Sequence, residues 1–168
     1  LRARFQQYAF LNKGLTITLD DQRDAAHLED VVAGPGSDGV ENARRVTYKY
    51  DDGLVDYVKH LTAAKRLEPI HPDVIDFESE DTERKISLEI AMRWTNSYSE
   101  SVHTYANTIS TTEGGTHEEG FRSALTGLIN RYAREKGLLK EKDDNLTGED
   151  IREGLTAVIS IKLGEPQF

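Results

Sequence analysis

The sequence predicts an α/β fold of the α+β kind, and three stretches carry that reading. Ile86, Leu88, Ile90, Met92 and Trp94 alternate with Ser87, Glu89, Ala91 and Arg93, the period-two pattern of a half-buried strand. After Thr116, the residues Phe121, Leu125, Leu128, Ile129 and Tyr132 recur at helical spacing and predict a long amphipathic helix. Leu155, Ala157, Ile159, Ile161 and Leu163 alternate again and predict a final strand.

The remaining elements follow in chain order. Leu1, Phe5, Tyr8, Ala9 and Asn12 fall on one helical face, and Lys13-Gly14 supplies a cation and a stop. Leu15-Thr16-Ile17-Thr18-Leu19 reads as a strand, as does Val46-Thr47-Tyr48-Lys49-Tyr50, and the two are expected to pair as a hairpin. Residues 20–45 between them are acidic, carry Gly34-Pro35-Gly36 and few large apolar side chains, and read as an exposed, mobile insertion. Asp51-Asp52-Gly53 ends the second strand and offers an N-cap to a helix with Leu54, Val55, Val58 and Leu61 on one face. A domain boundary is placed there, giving residues 1–52 and 53–168.

Pro69 and Pro72 mark an extended connection to a short strand around Val74-Ile75-Asp76-Phe77 and a charged turn from Glu80 to Arg84. Another strand is expected from Ser101 to Ile109. Thr116 followed by Glu119 has the spacing of a capping box, Gly137 closes that helix, and Thr147 with Asp150 caps a second one. The chain opens without Met, inside a helix, and stops directly after a strand, so it reads as a segment of something larger.

Composition narrows the function. Of 168 residues, 37% are hydrophobic and 30% charged, the balance of a globular protein, and no run is long and apolar enough for a membrane helix. Cysteine is absent, which removes disulfides, thiolate metal sites and cysteine nucleophiles and fits a reducing, cytoplasmic compartment. The net charge of −9 is opposite to that of a small domain gripping phosphates over its whole surface. Contact with DNA is therefore expected only through a local basic patch, or by enclosing the duplex loosely.

Motifs for chemistry are weak. Gly115 to Gly120 has the outer spacing of a P-loop, but Phe121-Arg122 stands where Lys and Ser or Thr are required. The five histidines lack metal-ligand spacing; His117 has no second histidine four residues on. Glu118-Glu119 and Glu149-Asp150 fit first helical turns, where negative charge is favoured anyway. Ser101 and His103 share a strand face, yet nothing marks a nucleophile elbow. The run Arg131, Arg134, Lys136, Lys140 and Lys142 is the candidate DNA-facing patch, diluted by Glu135, Glu141, Asp143 and Asp144 so that a solvated face explains it too. Gly114 and Gly115 are a candidate hinge, with a plain turn as the simpler account.

Four stretches resemble the DNA gyrase B family, the ATP-hydrolysing half of a type IIA topoisomerase, in the order that family has them. They are residues 10–17 (Phe-Leu-Asn-Lys-Gly-Leu-Thr-Ile), 98–109, 113–122 (Glu-Gly-Gly-Thr-His-Glu-Glu-Gly-Phe-Arg) and 146–168. The corresponding B protein of topoisomerase IV is the near relative, and a non-enzymatic nucleic-acid or partner-binding module similar to ribosomal protein S5 is the other alternative.

The resemblance implies that residues 1–52 end a GHKL-type ATPase domain and that residues 53–168 form a transducer. That transducer is similar to the second domain of ribosomal protein S5, with a left-handed βαβ crossover against the usual preference. It implies ATP and Mg²⁺ in the intact protein, DNA gyrase A as partner in an A2B2 heterotetramer, a second gyrase B on ATP binding, and double-stranded DNA as substrate. The family's ATP-binding asparagine, catalytic glutamate and lid are expected before Leu1, and its Gln-Thr-Lys loop after Phe168. Accordingly no catalytic, cofactor-binding or metal residue is assigned here, and the segment alone is expected to be inactive.

Overall fold

The structure, a computed structural model, describes residues 1–23 and 45–168, so the expected insertion at 20–45 lies almost wholly outside the described residues. The chain divides into two compact units, Leu1–Tyr57 and Val58–Phe168.

In the first unit, α1 spans Arg2–Leu11, β1 Ile17–Asp20 and β2 Arg45–Tyr48. β1 and β2 pair antiparallel with Ile17 opposite Tyr48 and Asp20 opposite Arg45, the expected hairpin. Ala9, Val46 and Tyr48 are buried together, with Phe5, Ile17 and Tyr50 packed on them. The Phe10 ring stacks on Tyr50 at 3.8 Å and on Tyr57 at 4.8 Å. Gly14 ends α1 at φ +79, and its N–H donates to the Tyr50 carbonyl. Helix α2, Leu54–Ala64, starts in this unit and ends in the next.

The second unit is built on β3 (Ile75–Asp81), β4 (Ile86–Trp94), β5 (Ser101–Ala106), β6 (Ile109–Ser110) and β7 (Leu155–Leu163), in the order β3-β4-β7-β5-β6. β7 runs antiparallel to β4 and parallel to β5. A parallel pair cannot be joined by a tight turn, so the chain crosses over through α3 (Thr116–Glu135) and α4 (Gly148–Arg152). Ile90, Met92, Leu155, Ala157 and Ile159 of the sheet bury against Phe121 and Leu125 of α3 and Ile151 of α4. Burying apolar surface stabilises by about 25 cal/mol per Å², and this face gathers eight buried apolar residues among those described.

Several local expectations need correction. β3 runs on to Asp81 and is exposed throughout, because it is an edge strand none of whose residues joins the cluster under α3. β5 stops at Ala106, since Asn107 (φ +47) and Thr108 (φ +68) turn the chain into β6. The Asn107 amide also bridges to both backbone groups of Leu163. Thr116 does not cap α3: the N-cap is Gly115, Glu119 N–H donates to the Gly115 carbonyl, and no side chain caps the end. Leu128 and Tyr132 are 58% and 54% exposed, because the buried row is Phe121, Leu125 and Ala133, one helical row aside. Gly137 does close α3, at φ +73, with Leu138 N–H bonded back to Ala133. Thr147 does cap α4, accepting from Asp150 N–H at 3.2 Å.

Candidate nucleic-acid groove

One tether holds the segment before α4 to α3, and a second holds α4 to the end of β4. Asn130, buried in the helix, accepts from Leu146 N–H at 2.7 Å and donates to the Leu146 carbonyl at 2.9 Å. Trp94 Nε1 donates to the Ile151 carbonyl at 2.8 Å. Between α3 and this segment lies an open groove of about 860 Å³, lined by Arg122, Arg131, Arg134 and Arg152 with Glu119 as its one carboxylate. Thr126, Asn130 and Asn145 supply further polar groups, so the lining is rich in hydrogen-bond donors.

The candidate residues fall unevenly on it. Arg131 lines the groove, is exposed and makes no ion pair among the described residues. Arg134 also lines it, but its guanidinium donates to Asn145 Oδ1 and to the carbonyls of Lys140 and Asp143, which makes it a staple for the 140–145 loop. Lys136 sits 5.9 Å over the Tyr132 ring. Lys140 gives its backbone N–H to Asp143 Oδ2 at 2.7 Å, leaving its ammonium outward, and Lys142 is exposed in the same turn.

Reasoning from sequence missed Arg122 and Arg152. Each stands among acidic neighbours in the chain and looks already neutralised; the fold places both on the groove. Arg122 donates to Glu118 Oε1 at 2.8 Å, and Arg152 Nε donates to Glu100 Oε2 at 2.9 Å. Gly148 makes room for the latter, since a Cβ there would stand 2.6 Å from Arg152 Nη1. Gly114 turns at φ +77, where a Cβ would meet Glu118 Oε2 at 2.9 Å, and a Cβ on Gly115 would meet the His117 ring at the same distance.

Ser101 Oγ and His103 Nε2 do stand 2.9 Å apart. Burial, then the Lys65 charge, pushes the His103 pKa down, which is opposite to what the carboxylate of a catalytic triad does. His117 is likewise lowered by burial, with Glu118 partly offsetting it. Among the described residues no three His, Cys, Asp or Glu side chains gather to hold a metal, and no helix is long and apolar enough to cross a membrane.

The fold is that of a part of the ATPase domain of bacterial gyrase B. The 43K ATPase domain of Thermus thermophilus gyrase B, solved with an aminocoumarin, superposes with TM-score 0.77 at 30% identity over 99% of this chain and 40% of that one. The topoisomerase IV ATP-binding domain of Francisella tularensis gives 0.67 at 22% identity over 99% and 38%, a likeness of fold alone. The family profile of DNA gyrase B matches residues 53–168, and the chain belongs to that family. The DNA gyrase B protein of Micrococcus luteus is 60% identical over all of this chain, and that of Streptomyces coelicolor 56%. The chain spans about a quarter of the length of these relatives, 26% and 24%.

Proposed function

We propose that this chain is the coupling segment of a DNA gyrase B protein. In this reading, residues 1–52 complete a GHKL-type ATPase domain, and residues 53–168 are a transducer similar to the second domain of ribosomal protein S5. In the same reading the crossover from β5 to β7 takes the left-handed course that this resemblance implies. Two copies of gyrase B close on ATP and Mg²⁺ and enclose a duplex. Together with gyrase A in an A2B2 heterotetramer they pass it through a cleaved one, introducing negative supercoils. The single supporting observation is the 60% identity of the whole chain to a gyrase B protein.

The chain's own share is mechanical. A relay needs a stiff body whose orientation has discrete states with different contacts to ligand. The buried sheet of β4 and β7 under α3 supplies that stiffness. Arg131, Lys136, Lys140 and Lys142 face the enclosed duplex, and Arg134 holds the loop that presents two of these lysines. Gly114-Gly115 is the candidate hinge at the start of α3. A chain of net charge −9 with one basic groove suits enclosing DNA without gripping it, because a tightly held duplex could not be passed onward.

The test pairs two measurements. The chain purified alone should not hydrolyse ATP. In the full-length protein reconstituted with gyrase A, replacing Arg131, Lys140 and Lys142 by Gln should lower supercoiling severalfold and leave DNA-independent ATP turnover unchanged. ATP turnover by the chain alone, or undiminished supercoiling by the triple variant, would overturn the proposal.

A further inference from the structure

The two arginines at the α4 end of the groove share one counter-ion. Glu100, just before β5, sets Oε2 against Arg152 Nε at 2.9 Å and Oε1 at 3.7 Å from Arg122 Nη1. One carboxylate thus offers one oxygen to each of two guanidinium groups. Arg122 Nε is buried and has no hydrogen-bond partner, so this guanidinium has donor capacity that its two carboxylates leave unused.

The two acids on Arg122 differ in how firmly they are held. Glu118 lies on α3, makes the shorter contact at 2.8 Å and takes a further hydrogen bond from Thr104 Oγ1. Glu100 is 32% exposed at the end of a short connecting segment in which Tyr98 is 91% exposed. Its contact with Arg122 is too long for a hydrogen bond. Arg152, by contrast, is largely enclosed: its side chain is 12% exposed and its Nη1 packs over Gly148, 2.6 Å from where a Cβ there would stand.

We propose that Glu100 is a displaceable counter-ion and that a backbone phosphate of the enclosed duplex takes its place between Arg122 and Arg152. The two non-bridging oxygens of a phosphodiester present the same pattern as the two carboxylate oxygens, one to each guanidinium. The ligand is a linear polyanion, because Arg122 and Arg131 are nine residues apart on α3, about 13 Å along the axis, more than one small anion spans. At rest the carboxylate screens the two arginines and keeps the groove's grip weak. Occupied, the groove gains two charge-assisted contacts and releases a carboxylate to water. Glu100 is in this sense a positioning residue that sets how much of the groove's charge the duplex meets. The inference rests on the reading of the groove as DNA-facing.

The experiment measures binding of a short fluorescently labelled duplex to the full-length protein across a salt series. Glu100→Gln keeps an acceptor for Arg152 Nε but removes the negative charge. It should tighten binding about threefold to tenfold and leave the dependence of log affinity on log salt at the wild-type slope, because the same phosphate is neutralised whether or not an acid has first to be displaced. Glu100→Asp, which keeps the charge, should leave the affinity near the wild-type value. Should Glu100→Gln fail to melt cooperatively, Glu100→Ala makes the same test, with the same expected direction, since it also removes the displaceable charge. If the charge-removing variant matches wild type while Arg131→Gln with Lys142→Gln flattens the slope, the groove binds DNA and the displaceable counter-ion is wrong. If neither variant alters binding, the DNA-facing reading is overturned and this inference with it.

Discussion

The two halves of α3 use arginine in different ways. In the first half Arg122 is pinned between Glu118 and Glu100, its charge already answered by the protein. In the second half Arg134 stitches a loop through carbonyl oxygens and an amide, groups that carry no formal charge, while Arg131 nearby has no ion pair among the described residues. The helix thus carries its neutralised cation toward α4 and its uncompensated ones toward Gly137. Counting basic residues along the chain does not show this, because charge presented to a ligand depends on which cations the fold has already matched.

The comparison can be broken most forcefully at the helix's apolar face. Leu125 is buried against the sheet, so Leu125→Ala should cost about 3 kcal/mol, whereas Leu128→Ala, one row aside and exposed, should stay within about 0.5 kcal/mol. Chemical denaturation of both variants checks the difference. Equal costs would mean that the helix presents another face to the sheet.

A smaller effect separates the two arginines of the second half. Arg134→Ala removes the bonds to Asn145, Lys140 and Asp143 and should cost about 1 kcal/mol, with faster amide exchange over residues 140–145. Arg131→Ala should leave both quantities unchanged. Exchange mass spectrometry on the pair decides whether Arg134 is a staple or a second uncompensated cation.

The smallest effect lies off α3 and serves as a control. Burial and Lys65 hold His103 below its ordinary value of 6.5, so the unfolded chain binds this proton more readily than the folded one. The contribution of His103 to stability is therefore complete above pH 6.5 and is lost as pH falls below it. Melting temperature should drop more steeply on acidification in the wild type than in His103→Gln. Identical pH profiles would mean that the imidazole is solvated.

How much of this was legible follows from the kind of signal each part leaves. The residues of β4 and β7 that face α3 alternate in the sequence, and the pairing of Ile86 with Leu163 through Trp94 with Leu155 places the two patterns side by side, although β7 is buried at every residue from Leu155 to Ser160. β3 left less trace, since a strand exposed on every residue has no contrast to read. Helical spacing offered two adjacent apolar rows on α3, and only packing chose between Leu125 and Leu128. A capping-box spacing at Thr116 was outcompeted by Gly115, whose extended backbone starts the helix one residue earlier.

The groove was half visible. Arg131 and Arg134 stood out as members of a basic run, and both line it. Arg122 and Arg152 did not, because acids close to each in the chain make both look neutralised, while the acid they share, Glu100, is 22 and 52 residues away. Long-range ion pairs of that kind have no periodicity and no local motif. Asn130, the buried amide that draws Leu146 to α3, was hidden for the opposite reason: its position within a helix looked like an ordinary exposed polar residue.

The central claim is that the groove beside α3 faces an enclosed duplex. Photo-crosslinkers placed singly at position 131 and at position 80, on the exposed edge strand β3, would test it in the full-length protein closed on a non-hydrolysable ATP analogue with duplex present. The account predicts DNA adducts at 131 and none at 80. Adducts at 80 with none at 131 would contradict it.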